Sequence, residues 1–173
     1  MTLDQLVETA KQAYVNKKFK EAANLFGQAA DDYILANDLL MAAEMKNNKS
    51  VAFLQDGNAQ ASFDAAAGTD AVFASAGDKR RQGMALANKA AALEALKRKK
   101  EAIACYLESA NLLEQAGEAN LRADVMRSIA AMQVGQGKFT DAVMSMQGGL
   151  IEVKKPTLKQ RILKKLLFLR LWR

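Results

Sequence analysis

The sequence predicts an all-α protein, an α-solenoid of four helical hairpins followed by a capping helix at its C-terminus. Three observations carry that prediction. Half of the 173 residues are apolar, alanine leads them, aromatic residues make up 6% and there is a single proline. Such a composition favours helix over strand. The segments KKFKEAANLF at 17–26 and GKFTDAVMSM at 137–146 echo one another, and intermediate copies fall between them at intervals of 40 residues. A chain of this length buries one good core and would be cramped as two domains, which suits a stack of short units that share their neighbours.

The 40-residue interval places KKFKEAA at Lys17, GNAQASF at Gly57, KRKKEAI at Lys97 and GKFTDAV at Gly137. Ala22, Ser62, Ala102 and Ala142 form one column of small residues, and Ala10, Ser50, Ala90 and Ala130 form a second. Phe26, Ala66, Tyr106 and Met146 form a third, larger on average. Small residues let two helices approach closely while the larger column fills the space beside them. In the first unit, 3–37, helix A is expected over 3–15 and helix B over 19–35, with a break near Lys17. Asp56-Gly57-Asn58 breaks the second unit (38–77), KRKK at 97–100 turns the third (78–117), and Gly135-Gln136-Gly137 turns the fourth (118–155). Between units, Asn37-Asp38, Gly77-Asp78 and Gly117-Glu118 each pair a helix-ending residue with an acid suited to a new helix start.

Several function classes are disfavoured. Histidine is absent, which removes the usual general base and the commonest zinc ligand. The lone Cys105, expected on the packing side of helix B beside Tyr106, reads as a buried, inert thiol and fits a reducing compartment. GQGK at 135–138 is no phosphate loop, because Met132 stands where that motif needs its first glycine. Asp31-Asp32 and the scattered carboxylates lack a repeated liganding spacing. The N-terminus has acids where a secretory signal needs a basic start, and no apolar run reaches the length of a membrane span. Four cations in KRKK without an aromatic platform read as a solvated loop, so no nucleic acid is expected.

The columns resemble the tetratricopeptide repeat (TPR). The first unit supplies Ala10, Tyr14, Lys17, Phe19, Ala22, Phe26 and Ala29, and the fourth supplies Ala130, Val134, Gly137, Phe139, Ala142, Met146 and Gly149. The usual TPR is about 34 residues long. These longer units look like the long-helix variety of kinesin light chains, and the phrasing from Phe26 to Tyr33 is similar to that of soluble NSF attachment proteins. The second unit departs most, with Ala59 and Ala66 in place of aromatics.

The resemblance implies a right-handed solenoid over 1–155 whose A helices line a concave groove. The inward residues it implies are Asp4, Val7, Glu8 and Lys11, then Glu44, Asn47, Asn48 and Val51, then Met84, Ala87, Asn88 and Ala91, then Asp124, Arg127, Ser128 and Ala131. Asn48 and Asn88 stand out, because an amide both donates and accepts and can hold the backbone of an extended peptide. Asparagine is a mediocre helix former; the competing reading is that each amide only solvates the groove or bonds within its helix. The clamp that some TPR domains use for C-terminal carboxylates needs a lysine and an asparagine where this chain has Val7 and Lys11, which disfavours that ligand.

The segment 156–173 is different in kind. Residues 1–150 hold 17 basic and 18 acidic residues, whereas 151–173 hold eight basic residues and only Glu152. Pro156 is expected to interrupt helix B of the last unit, and Thr157 to cap a new helix. Leu158, Ile162, Leu166 and Leu169 form one apolar stripe, Leu163, Leu167 and Leu171 a second, and Phe168 with Trp172 a third. One stripe is expected to cap the stack. Three outlets stay open for the surplus: a plain cap with snorkelling Lys and Arg stems, docking on anionic lipid through Lys164, Lys165, Phe168 and Trp172, or packing on a partner helix or a second copy.

The function expected is a non-enzymatic, cytoplasmic protein–protein adaptor or scaffold with no cofactor and no metal. Its groove contacts would be Asn48 and Asn88, with Asn47, Lys11, Met84, Arg127 and Ser128 setting side-chain preference. The alternative is an assembly or trafficking factor held peripherally at a membrane by its basic tail.

Overall fold

The computed structural model describes residues 1–169, without the side chains of Leu166, Phe168 and Leu169. Leu171, Trp172 and the side chains of Leu166, Phe168 and Leu169, assigned above to tail stripes and contacts, therefore lie outside the described residues. Among the described residues ten helices follow one another: α1 Leu3–Val15, α2 Phe19–Leu35, α3 Leu39–Gln55, α4 Ala59–Ala66, α5 Thr69–Ser75, α6 Lys79–Ala95, α7 Lys99–Gln115, α8 Ala119–Val134, α9 Phe139–Ile151 and α10 Leu158–Leu169. Helices adjacent in sequence pack on each other, save that α4 and α5 pack on α3 and α6 rather than on one another, and α3 also lies against α6, as in a solenoid. The all-helical, repeated-hairpin architecture read from the sequence is the one found.

The turns share one geometry. Lys17, Asn37, Gly57, Gly77, Lys97, Gly117 and Gly137 all have positive φ, between 59° and 81°. At the first, the Lys17 N–H donates to the Tyr14 carbonyl (3.0 Å) and the Lys18 N–H to the Ala13 carbonyl (2.9 Å). The same two bonds close every turn through Gly137 to Val134 and Lys138 to Gln133. This satisfies carbonyls that the helix end would orphan. A left-handed conformation costs a non-glycine residue about 1–2 kcal/mol, which these paired bonds hold in place at Lys17 and Lys97. Asp38, Asn58 and Asp78 then cap the following helices by accepting from the N–H of Met41, Ala61 and Arg81.

The two small columns meet between the helices of each hairpin and are buried throughout. Where the second hairpin carries Ser50 and Ser62 in place of the alanine pair, the two hydroxyls bond each other at 3.0 Å. The third column is buried at Phe26, Ala66 and Tyr106 and half-buried at Met146. Two large apolar clusters result, one on α1–α3 and one on α6–α8. Between them lies a small one of Ala43, Phe73 and Ala85.

Two expectations need correction. The second hairpin has no single B helix; it breaks after Ala66 and restarts at Thr69, across Gly68 with φ +75°. The run Ala65-Ala66-Ala67-Gly68 offers little side chain to pack, and a left-handed glycine ends a helix readily. In the last hairpin, α9 stops at Ile151, short of Pro156, while Val153 turns inward and is buried. The bias of pre-proline residues against helix, with two glycines at 148–149, weakens the last turns. Thr157 does cap α10: the Gln160 N–H donates to its hydroxyl (3.3 Å) and the Gln160 side chain accepts from its N–H (2.8 Å).

Candidate functional site

The side-by-side placement of α3 and α6, the A helices of the middle hairpins, opens a depression of about 340 Å3. Glu44, Asn47 and Asn48 of α3, Phe73 of α5, and Arg80, Arg81, Met84 and Asn88 of α6 line it. A second, more apolar cavity of about 320 Å3 adjoins it, lined by Lys11, Tyr14, Val15, Phe26, Asn48 and Val51. Asn48 belongs to both. The fold thus brings Asn47, Asn48, Met84 and Asn88 together, and Lys11 joins them through Asn48. Arg127 and Ser128, on α8, line neither cavity.

The polar groups in the depression are in different states. Asn48 and Asn88 are half-buried, and among the described residues no side-chain hydrogen bond engages either amide. Asn47 is only 8% exposed, with its amide oxygen 3.2 Å from the Thr69 hydroxyl. That hydroxyl also lies 2.8 Å from the Ala66 carbonyl, so its one proton serves either, and Asn47 is tied to the break in the second hairpin. The two arginines are held by carboxylates. Arg80 Nε donates to Glu118 Oε1 at 2.7 Å; Arg81 Nε donates to Asp78 Oδ2 at 2.6 Å and its Nη1 to Glu44 Oε2 at 3.3 Å. The Arg81 backbone N–H, then its guanidinium, hold the Asp78 carboxyl below the usual range. Arg81 also stacks over Phe73, 5.1 Å from the ring centre. With these charges engaged, the uncharged amides are the polar groups free to meet a ligand.

The remaining candidates sit apart. Lys11 is exposed and 4.0 Å from Glu8; Arg127 is exposed and 3.1 Å from Asp124. The half-buried Ser128 lies beside the Tyr106 hydroxyl, which donates to Glu94 Oε2 at 3.2 Å. Burial, then the Glu94 carboxylate, push Tyr106 up to about 12. Lys164 is half-buried and donates to the Leu150 carbonyl at 3.4 Å, whereas Lys165 is exposed. Cys105 is half-buried rather than buried, packed at the edge of the α6–α8 cluster; desolvation still pushes the thiol up, so it stays protonated near neutrality. In KRKK, Arg98 pairs with Glu101 at 2.6 Å and covers the Phe63 ring at 4.8 Å, so part of that run closes the turn.

Sequence reasoning does not single out Tyr14, Phe26 and Val15 as cavity walls, nor Phe73, Arg80 and Arg81. Phe73 is findable as the one large residue near the end of its helix, and Arg80-Arg81 as cations just after the Asp78 cap. Among the described residues no group of three or more Cys, Asp or Glu is placed to hold a metal ion.

No family model and no curated protein matches the chain. Solved structures do. The chain superposes on the crystal structure of nearly identical TPR-like repeats from a candidate kinesin light chain of Podosopora anserina, with a TM-score of 0.76 at 16% identity, covering 97% of this chain and 84% of that one. A point-substituted form of those repeats gives a TM-score of 0.75 at 15% identity, covering 96% and 85%.

Proposed function

We propose that this chain, a TPR-like helical-repeat solenoid by fold, is a non-enzymatic scaffold that holds an extended segment of another protein along its concave groove. One observation carries the reading: Asn48 and Asn88 are half-buried and unpaired, and they line one depression that opens onto an apolar cavity. Two free amides in one depression can grip a peptide backbone whatever its sequence, while the cavity walled by Tyr14, Phe26 and Val51 selects an apolar side chain. Lys11, Asn47 and Met84 border the same path and tune preference; Arg127 and Ser128, on α8 outside both cavities, would meet only a segment that runs on past them. The cytoplasm is the compartment proposed, on the ground of a single unpaired cysteine. Among the described residues no helix is long and apolar enough to cross a membrane.

Peptides selected from a random display library on the full chain supply the probe, and fluorescence anisotropy the affinity. Removing both amides (Asn48→Ala with Asn88→Ala) costs about 2–3 kcal/mol at about 1–1.5 kcal/mol per hydrogen bond, or roughly 30-fold to 150-fold in Kd. Thermal unfolding stays unchanged. Equal affinity for the double variant removes the groove assignment.

A further inference from the structure

We infer that the outward face of α10 is a docking surface for an anionic lipid bilayer, separate from the groove. The helix has two faces with different duties. Gln147 Nε2 donates to the Leu167 carbonyl at 3.0 Å and Lys164 Nζ to the Leu150 carbonyl at 3.4 Å, which seats the side bearing half-buried Leu163 and Leu167 on α9. Lys164 thereby places its cation at the C-terminal carbonyls of α9, where positive charge is favoured. The opposite side carries Leu158 and Ile162, one turn apart and 71% and 54% exposed.

Charge decides what covers that face. Exposed Arg161 and Lys165 border the apolar pair on one side and exposed Lys159 on the other, with exposed Lys154 and Lys155 in the preceding link. No acid occurs from 153 to 169. An apolar stripe with cations along both edges suits a helix lying in the plane of a membrane surface: the stripe enters the acyl boundary and the long cationic stems reach the phosphates. The 12 residues of α10 are far too few to span. A second copy would set one basic face against another, which repels at short range.

Flotation of the full chain on vesicles of phosphatidylcholine and phosphatidylserine in equal parts, against phosphatidylcholine alone, tests this. The chain is expected to float with the anionic vesicles only, and less as salt rises. Ile162→Glu, and separately Lys159→Glu with Arg161→Glu and Lys165→Glu, should each weaken flotation by about tenfold or more. These side chains are exposed, so the variants keep their circular dichroism spectra. Asn48→Ala with Asn88→Ala should float like the wild type, which separates this face from the groove. Absent flotation, equal flotation on neutral vesicles, or indifference to the substitutions overturns the proposal. A dimer in light scattering that Ile162→Glu abolishes would overturn it in favour of a second copy. Preference for soluble polyglutamate over vesicles would do so in favour of an acidic protein.

Discussion

Replacing Ser50 with Ala removes one partner of the hydroxyl–hydroxyl bond that joins α3 to α4 across 3.0 Å. Ser62 is then left with a polar oxygen at 0% exposure. Stranding a buried hydroxyl costs about 1–3 kcal/mol; with the small void beside it, Ser50→Ala and Ser62→Ala should each destabilise by about 1–1.5 kcal/mol. The double variant strands nothing. It recreates the Ala10/Ala22, Ala90/Ala102 and Ala130/Ala142 pairs of the other hairpins, which pack fully buried without polar atoms. Its stability should lie within about 0.5 kcal/mol of the wild type, giving a coupling of about 2–3 kcal/mol between the sites. Urea titrations followed by far-ultraviolet circular dichroism read the cycle, and each single variant should lower Tm by roughly 2–5 °C. A double variant as destabilised as the two singles summed would refute the reasoning. It would mean that each hydroxyl bonds independently to a carbonyl one turn earlier.

Gly148 and Gly149 should respond to alanine with opposite signs. A Cβ at Gly148 meets only Met126 Cε at 3.8 Å and gains about 0.5–1 kcal/mol of helix propensity, whereas one at Gly149 lies 2.7 Å from Met126 Cβ and 3.2 Å from Ala123 Cα and costs about 1–3 kcal/mol. Thermal melts of the two variants check this, and shifts of the same sign would contradict it. Phe73→Ala removes the one large side chain of the small middle cluster, which should cost about 3–5 kcal/mol and split the calorimetric transition in two; a single transition means the clusters are joined elsewhere. Tyr106 is held protonated, its pKa raised from 10.0 to about 12. Its stabilisation is whole below pH 10 and is lost as pH rises from 10 toward 12. Over that window the wild type should lose up to about 2–3 kcal/mol relative to Tyr106→Phe in urea unfolding.

The parts of the fold legible in the sequence are those with a strict positional requirement. Left-handed turns select Gly or Asn, so Asn37, Gly57, Gly77, Gly117 and Gly137 announce themselves, and the small columns follow from close helix approach. The break at Gly68 is harder to see, because it falls off the 40-residue interval and a lone glycine inside a helical pattern is ordinary. Register aligns Asn48 with Asn88, which line one depression, but register says nothing about partners. Asn47 and Asn48 are adjacent in sequence, and only the position of Thr69 across the break shows that one is engaged and the other free. Similarly, three apolar stripes on α10 are visible, while the side that meets α9 depends on where Gln147 and Leu150 end that helix.

The seven turns, spaced by 20 residues, leave the backbone with a translational degeneracy. Each turn is closed by the same two backbone hydrogen bonds whether the next helix belongs to its own hairpin or opens the following one. A chain paired one helix out of phase would therefore find every turn already formed, and nothing in the main-chain geometry of those turns would oppose it. Phase is carried by side chains: the alanine columns fit one set of interfaces and not the alternate set. Gly68 is the landmark that breaks the degeneracy. It adds a bend at one place along the chain, and the Thr69 hydroxyl it presents finds Asn47 only when α3 and α5 belong to the same hairpin.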